Sequence, residues 1–245
     1  MLEVLLPFFQ SHETKRGRGR RLDLLPVICG ILYVLHEGIR WRALPKVFGC
    51  WSSVYTRFSR WEKRGLLTQL FESTADSRKR GTERSLDASH IKVHQDANTK
   101  DPENEGIGMT RGGRNTKLHA VVDEVGHAVK LFLTAGQVND CTQAVAMTAD
   151  LSEGEHLLAD KAYDVDEFRE TLGAKGVTAC IPPKSNRKRP ATYDKETYKH
   201  RHFIENFFQR AKRCRRIGTR YEKTKVMFMA FVCLFASMDY VLHRI

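Results

Sequence analysis

The sequence predicts an α/β protein: a small all-helical N-terminal domain followed by a mixed sheet covered by helices, in the element order βββαβαβα. Three observations predict it. Apolar residues recur at helical spacing as far as residue 71, after which a polar stretch intervenes. From Arg84 the period becomes that of strands, and beyond Ala144 strand and helix patterns alternate. The 245 residues, 41% of them hydrophobic, suffice for a substantial core without disulfide or metal staples.

The elements follow in order. Residues 1–9 read as a short apolar helix, and residues 11–21 as a flexible, Gly/Arg-rich connector that faces phosphate. A helix is expected over 22–37 with Gly38 as its stop, then a turn marked by Pro45 and Gly49, then a second helix over 52–64 capped by Ser52. This second helix carries Trp51, Tyr55, Phe58 and Trp61 close to i, i+3, i+4 spacing, with Arg57, Arg60, Lys63 and Arg64 on other faces. Such a pair is either a helix-turn-helix or a plain helical bundle. A further short helix reaches Phe71, so residues 1–72 form the helical domain, 73–83 the linker and 84–245 the sheet domain. In the latter, strands are expected at 85–93, 116–122 and 127–133, the last two joined across Asp123-Glu124-Val125-Gly126. Helix 144–151, strand 156–159, helix 165–172, strand 177–181 and two closing helices, 194–213 and 222–243, complete the series.

Several classes are set aside. The apolar runs at 24–35 and 226–238 are interrupted or too short for the roughly 20 residues that span a bilayer, so no membrane segment is expected. No secretory leader pattern opens the chain, and a cytoplasmic, nucleoid-associated location is expected. Cys29, Cys50, Cys141, Cys180, Cys214 and Cys233 are scattered, never in C-x-x-C spacing, and read as reduced core residues.

The net charge of +12 is unevenly spread. Residues 1–83 carry +7, residues 84–183 carry −6 and residues 184–225 carry +11. Two basic blocks flanking an acidic centre imply a polyanionic partner. In the second block Tyr198, Phe203, Phe207, Phe208 and Tyr221 interleave with Arg201, Arg210, Lys212, Arg213, Arg215, Arg216 and Arg220, which a merely solvated tail would lack.

The most specific pattern is Y-x2-R-x3-E-x6-K, formed by Tyr198, Arg201, Glu205 and Lys212. At about 100° per residue these four fall within about 60° of one another on a helix. Phe203, Ile204, Phe207, Phe208 and Ala211 form the core-facing stripe of the same helix. Two more acids stand in or at the end of apolar strands, Asp87 in Ser-Leu-Asp-Ala-Ser and Asp160 in Leu-Leu-Ala-Asp-Lys. An acid so placed costs free energy unless it is hydrogen-bonded or bound to a cation. Three acids from two strands and a helix could hold two hard divalent cations, as phosphodiester chemistry needs.

These stretches, with Gly30 to Leu35, Trp41 to Pro45, Ile107-Gly108, Arg111-Gly112-Gly113, Thr116 to Asp123, Leu158 to Asp164, Ile181-Pro182-Pro183 and Thr219-Arg220-Tyr221, resemble the DDE transposases of bacterial insertion sequences, specifically the insertion-sequence-five family. The resemblance implies an RNase H-like catalytic domain, with Asp87, Asp160 and Glu205 as the catalytic, metal-binding triad. It also implies two Mg²⁺ ions, for which Mn²⁺ can substitute, and cut-and-paste movement of double-stranded DNA by at least a dimer. Tyr198, Arg201 and Lys212 are expected as DNA contacts, joined by Arg213, Arg216 and Arg220 of the second basic block and by Arg57 and Arg60 of the first. The family usually has Gly where Ala162 stands, which makes the turn after Asp160 less permissive of positive φ.

Overall fold

The computed structural model describes residues 2–13, 23–77, 81–188 and 191–242. From residue 14 onward, the Gly/Arg-rich connector expected at 11–21 lies outside them. Four helices come first: α1 Leu2–Ser11, α2 Leu24–Glu37, α3 Trp51–Lys63 and α4 Leu66–Asp76. Asp23 caps α2 by accepting from the Leu25 N–H at 3.1 Å, and Gly38, at φ 67°, ends it by donating to the Val34 carbonyl. A Cβ at Gly38 would meet Arg215 Cβ at 2.8 Å, so both backbone conformation and close approach require glycine there.

The path from α2 to α3 runs through 3₁₀ turns Trp41–Ala43 and Lys46–Phe48. That is not the 3–4-residue turn of a helix-turn-helix, and the bundle alternative is the one observed. Ser52 is not the cap of α3, which starts one residue earlier behind Cys50. Cys50 is exposed, contrary to its expected place in the core. The helix expected to stop near Phe71 continues as α4 into the polar stretch.

The sheet comprises β1 Glu83–Val93, β2 Gly108–Thr110, β3 Gly113–Asp123, β4 Ala128–Ala135, β5 His156–Ala159, β6 Thr178–Cys180 and β7 Thr219–Arg220. Helices α5 Cys141–Met147 and α6 Asp166–Ala174 connect β4 to β5 and β5 to β6; α7 Lys195–Tyr198, α8 His202–Arg213, α9 Arg215–Gly218 and α10 Lys225–Leu242 close the chain. The strand order is β2-β3-β1-β5-β6, with β4 also on β3 and β7 also on β1. β1 and β3 are antiparallel, whereas β5 is parallel to both of its neighbours, β1 and β6. The expected βββαβαβα series is therefore present, with the small strands β2 and β7 added. In the β3–β4 turn the Asp123 carboxylate accepts from the His127 N–H at 2.8 Å, and Gly126 takes φ 85°.

Each sheet face has its own core. On one, Leu86, Val121 and Leu157 pack with Ala144 and Met147 of α5 and Phe168 and Leu172 of α6. On the other, Ile91, Leu118, Ala120 and Val122 pack with Ile204 and Phe207 of α8 and Phe228 and Phe231 of α10. This second core runs without interruption into Phe58, Trp61 and Leu67 of the N-terminal helices, and the Phe58 and Phe231 rings lie 4.5 Å apart. With 18 residues, α10 is long and apolar enough to cross a membrane, which corrects the expectation that no segment is. In this fold it is a core helix, buried from Ala230 to Ser237 and carrying Asp239 in an ion pair with Arg210 at 2.7 Å.

Candidate active site

Sheet register brings the first two acids together. Leu86 pairs with Ala159 across β1 and β5, and Asp87 and Asp160 each follow by one residue. Neighbouring parallel strands thus hold the two backbones about 4.8 Å apart. Because side chains alternate, Asp87 leaves the face of Leu86 and shares that of Ser89 and Ile91, on which α8 lies. Asp160 ends β5 and accepts from the Ala162 N–H at 2.8 Å, capping a 3₁₀ turn, Lys161–Tyr163. Such a turn needs only negative φ, and no non-glycine residue described here has positive φ, so Ala162 fits where the family usually has Gly.

The third acid comes from the helical run that starts behind Asp194. α7 and α8 are joined by a 3₁₀ turn, Lys199–Arg201, so the path is continuous but tighter than a uniform α-helix. In 3₁₀ geometry residues i and i+3 eclipse, which aligns Tyr198 with Arg201. Of the expected core stripe, Ile204, Phe207, Phe208 and Ala211 are buried and Phe203 only half-buried, turning the opposite side towards the acids. Arg201 donates through Nη2 to Asp87 Oδ2 at 2.6 Å and through Nη1 to Glu205 Oε1 at 2.5 Å. A planar guanidinium fork therefore keeps these two oxygens no more than about 7.5 Å apart. Two turns further on, Lys212 Nζ donates to Ser89 Oγ at 2.7 Å.

Burial raises the Asp87 carboxyl to about 6; Arg201 and the Ala88 N–H pull it back down, and Asp160 and Asp140 push it up. Burial also works against the Arg201 charge, but Asp87, Tyr198, Glu205 and Asp160 outweigh it and raise its pKa. All three acids therefore act on one guanidinium. Among the described residues no three carboxylate, imidazole or thiol side chains stand close enough to hold one metal ion as they lie. Arg201 occupies one oxygen on Asp87 and one on Glu205.

Two supports of the site were not read from the sequence. Asp140, just before α5, pairs with the buried Lys117 of β3 at 2.6 Å, and Cys141 Sγ donates to the Ala162 carbonyl at 3.0 Å, tying α5 to the turn after Asp160. In sequence, an Asp ahead of a helix reads only as a cap. The second is Asp164, a buried clamp. It accepts from Arg169 Nε at 2.7 Å, Arg187 Nη1 at 2.9 Å and the Lys184 N–H at 2.8 Å. Burial opposes its charge, yet those donors hold its pKa below the usual carboxylate range.

Of the expected DNA contacts, three are corrected. Arg220 is fully buried and donates to the carbonyls of Glu222 at 3.0 Å and Glu105 at 2.8 Å and to Thr116 Oγ1 at 2.7 Å. Arg216 is buried against Glu222 at 2.6 Å and the Ile39 carbonyl at 2.7 Å. Arg57 is committed to Glu13. Paired and largely withdrawn from solvent, these three have no free charge for phosphate. Arg60, Lys212 and Arg213 are exposed, and Tyr198 is half-buried with its ring 5.4 Å from that of Tyr193.

Comparison with known proteins agrees with this architecture. Residues 1–71 match a family of proteins assigned as transposases of the IS4/5 family, and residues 78–238 match the transposase DDE domain. The protein assigned as the transposase of insertion sequence element IS6501 in Brucella ovis is 43% identical over 124 residues, half of this chain and 95% of that protein. An uncharacterized 16.2 kDa protein of insertion element IS402 in Burkholderia cepacia is 37% identical over 74 residues, 29% of this chain and 50% of its own length. The fold resembles that of piggyBac transposase, solved as a synaptic complex with hairpin DNA, at a TM-score of 0.58 and 9% identity, over 96% of this chain and 68% of that one. With the DDE domain spanning the sheet and its closing helices, the chain belongs to the DDE transposases of insertion sequences, in the IS4/5 family.

Proposed function

We propose that this transposase moves its element by cut-and-paste, cleaving phosphodiesters at the element's ends and joining the released 3′-hydroxyls to target DNA. One observation carries the reading: Arg201 holds Asp87 of β1 and Glu205 of α8 on a single guanidinium, while Asp160 comes directly after Ala159, the β5 partner of Leu86. Two acids from distant parts of the chain meet on a cation that the protein itself supplies, and the third ends the neighbouring strand.

That donor set fits divalent metal. All three ligands are hard carboxylate oxygens, the choice of Mg²⁺ and Mn²⁺. The Arg201 fork, bound to Asp87 at 2.6 Å and to Glu205, stands in for a cation between two of these acids. Asp87, Asp160 and Glu205 would hold two such ions, which supply nucleophile activation and charge neutralisation at the leaving oxygen. The other roles belong to the protein. Arg201 orients the Asp87 and Glu205 oxygens. Lys212 grips a neighbouring phosphate of the end being cut. The Lys117–Asp140 pair and the Asp164 clamp fix the turn that presents Asp160.

The DNA is double-stranded and bound by at least a dimer, since two ends must meet, in the cytoplasm at the nucleoid. The helices of residues 1–72 add binding surface through Arg60, residues 73–83 link them to the catalytic region 84–245, and Arg213 extends the phosphate track.

The test is incubation of purified protein with labelled DNA carrying the element's own ends and a target duplex, with and without Mg²⁺. Cleaved ends that become joined to target only with Mg²⁺ support the proposal. Cleavage without joining reduces it to a nuclease, and binding without cleavage overturns it.

A further inference from the structure

Beyond the end of β1, where the N-terminal helices meet the segment after β7, lies a pocket of about 560 Å³. Its walls include Trp41, Trp51, Tyr55 and Tyr221, with Arg42 and Lys223 also lining it. That volume falls within the roughly 300–1,000 Å³ of small-molecule sites. Trp41 is anchored from behind, its ring 5.6 Å from Phe58 and 6.0 Å from Phe231. In front, Tyr55 is 39% exposed and lies 5.4 Å from Trp41. The Arg42 guanidinium sits 5.6 Å over the partly exposed Trp51 ring.

The charge balance of the rim is positive. Arg216 is neutralised by Glu222, and Arg40 is opposed by Asp96 at 3.6 Å, which leaves Arg42 and Lys223 without an ion pair among the described residues. Rings open to solvent beside uncompensated cations are poorly explained by core packing. They are the composition that stacks bases and neutralises the attached phosphates.

The position relative to the acids is also defined. Tyr221 packs on His94, the residue after β1, with ring centroids 4.7 Å apart. From Asp87 to His94 the strand advances about 23 Å, and Lys212 stands at Ser89 between them. At the roughly 3.4 Å rise of a duplex, the pocket is about six or seven nucleotides along the strand from a phosphate cut at the acids.

We infer that this pocket takes an unpaired nucleotide of the DNA strand being processed, its base stacked on Tyr55 and Trp51 and its phosphate held by Arg42 and Lys223. The inference rests on the transposase reading and adds a single-strand-selective site to it.

Intrinsic fluorescence gives a direct test, because two of the chain's three tryptophans line the pocket while Trp61 is buried against Phe9 at 3.8 Å. The probes are an eight-nucleotide oligothymidylate and a duplex of equal length. Oligothymidylate is expected to quench wild-type fluorescence. Tyr55→Ala and Arg42→Ala should each weaken its binding about fivefold or more, while duplex affinity changes less than about twofold. Tyr55→Phe should bind like wild type, and Arg42→Ala decides the matter if Tyr55→Ala fails to fold. Quenching that is absent, or untouched by both variants, in a protein that still binds duplex and cuts it with Mg²⁺ overturns the pocket and leaves the transposase reading standing. Equal loss of single-strand and duplex binding reassigns these residues to general phosphate contact, also against the inference. Failure to bind either DNA and to cut overturns both together.

Discussion

Asp87 shows how one residue can be read from sequence and still need the structure to explain it. An acid inside an apolar strand is anomalous, and so are Asp160 at the end of another strand and Glu205 in the Tyr198–Lys212 pattern, so all three stand out in the sequence. The pairing of Arg201 with Glu205, four residues on, is legible as an i, i+4 helix pair; what the sequence could not show is that Arg201 also binds Asp87, 114 residues away. Asp140 and Lys117 stayed hidden for the same reason. The pH behaviour of Asp87 follows from its burial. Its folded pKa of about 6 exceeds its ordinary 3.8, so the folded state holds the proton more tightly. The associated stability is complete below about pH 4 and is lost as pH rises through 6. Buried His119 runs the other way: burial lowers it to about 4, so its contribution is complete above pH 6.5 and is lost as pH falls towards 4. Asp87→Asn should therefore melt higher than wild type at pH 8 without metal, by about 1–3 kcal/mol. The gap should close near pH 4, leaving a variant that acid destabilises more steeply than wild type. A gap independent of pH in thermal melts would refute the assignment of that pKa to Asp87.

At the scale of elements, the run from α7 to α8 was legible as an amphipathic helix because its apolar residues recur at 3.6 spacing, whereas its 3₁₀ turn left no mark in that pattern. The basic residues after it were misread. An arginine's surroundings depend on where the chain returns, and Glu105, Thr116 and Ile39 reach Arg220 and Arg216 only in the folded molecule. Two alanine substitutions in this one segment should therefore behave oppositely. Lys212→Ala should leave stability within about 0.5 kcal/mol and lower the salt slope of DNA binding by about one. Arg220→Ala strands carbonyls and a hydroxyl in the core and should cost more than about 3 kcal/mol. Gel-shift binding across a salt series, paired with denaturant unfolding, separates the two. A loss of stability from Lys212→Ala, or normal stability with a reduced salt slope from Arg220→Ala, would reverse the assignments.

Across the whole molecule, the order of elements along the chain and the helical start were readable from the change of period at Arg84, but the strand order in the sheet and the relation between the two parts were not. Hydrophobic patterning says which residues are buried and not against what. Here Phe58 of α3 packs on Phe231 of α10, so the N-terminal helices and the sheet share one core. Phe58→Ala should cost about 3–5 kcal/mol and lower a single transition seen alike by circular dichroism and tryptophan fluorescence. Two separated transitions would instead indicate independently folding parts. The central claim concerns the three acids acting together, and its most direct measurement is Mg²⁺-dependent cleavage of end-bearing DNA by Asp87→Asn, Asp160→Asn and Glu205→Ala, each at a concentration where DNA binding is saturated. The account predicts that all three bind DNA nearly as wild type does and that each cuts at least about a hundredfold more slowly. Near wild-type cutting by any one of them would contradict it.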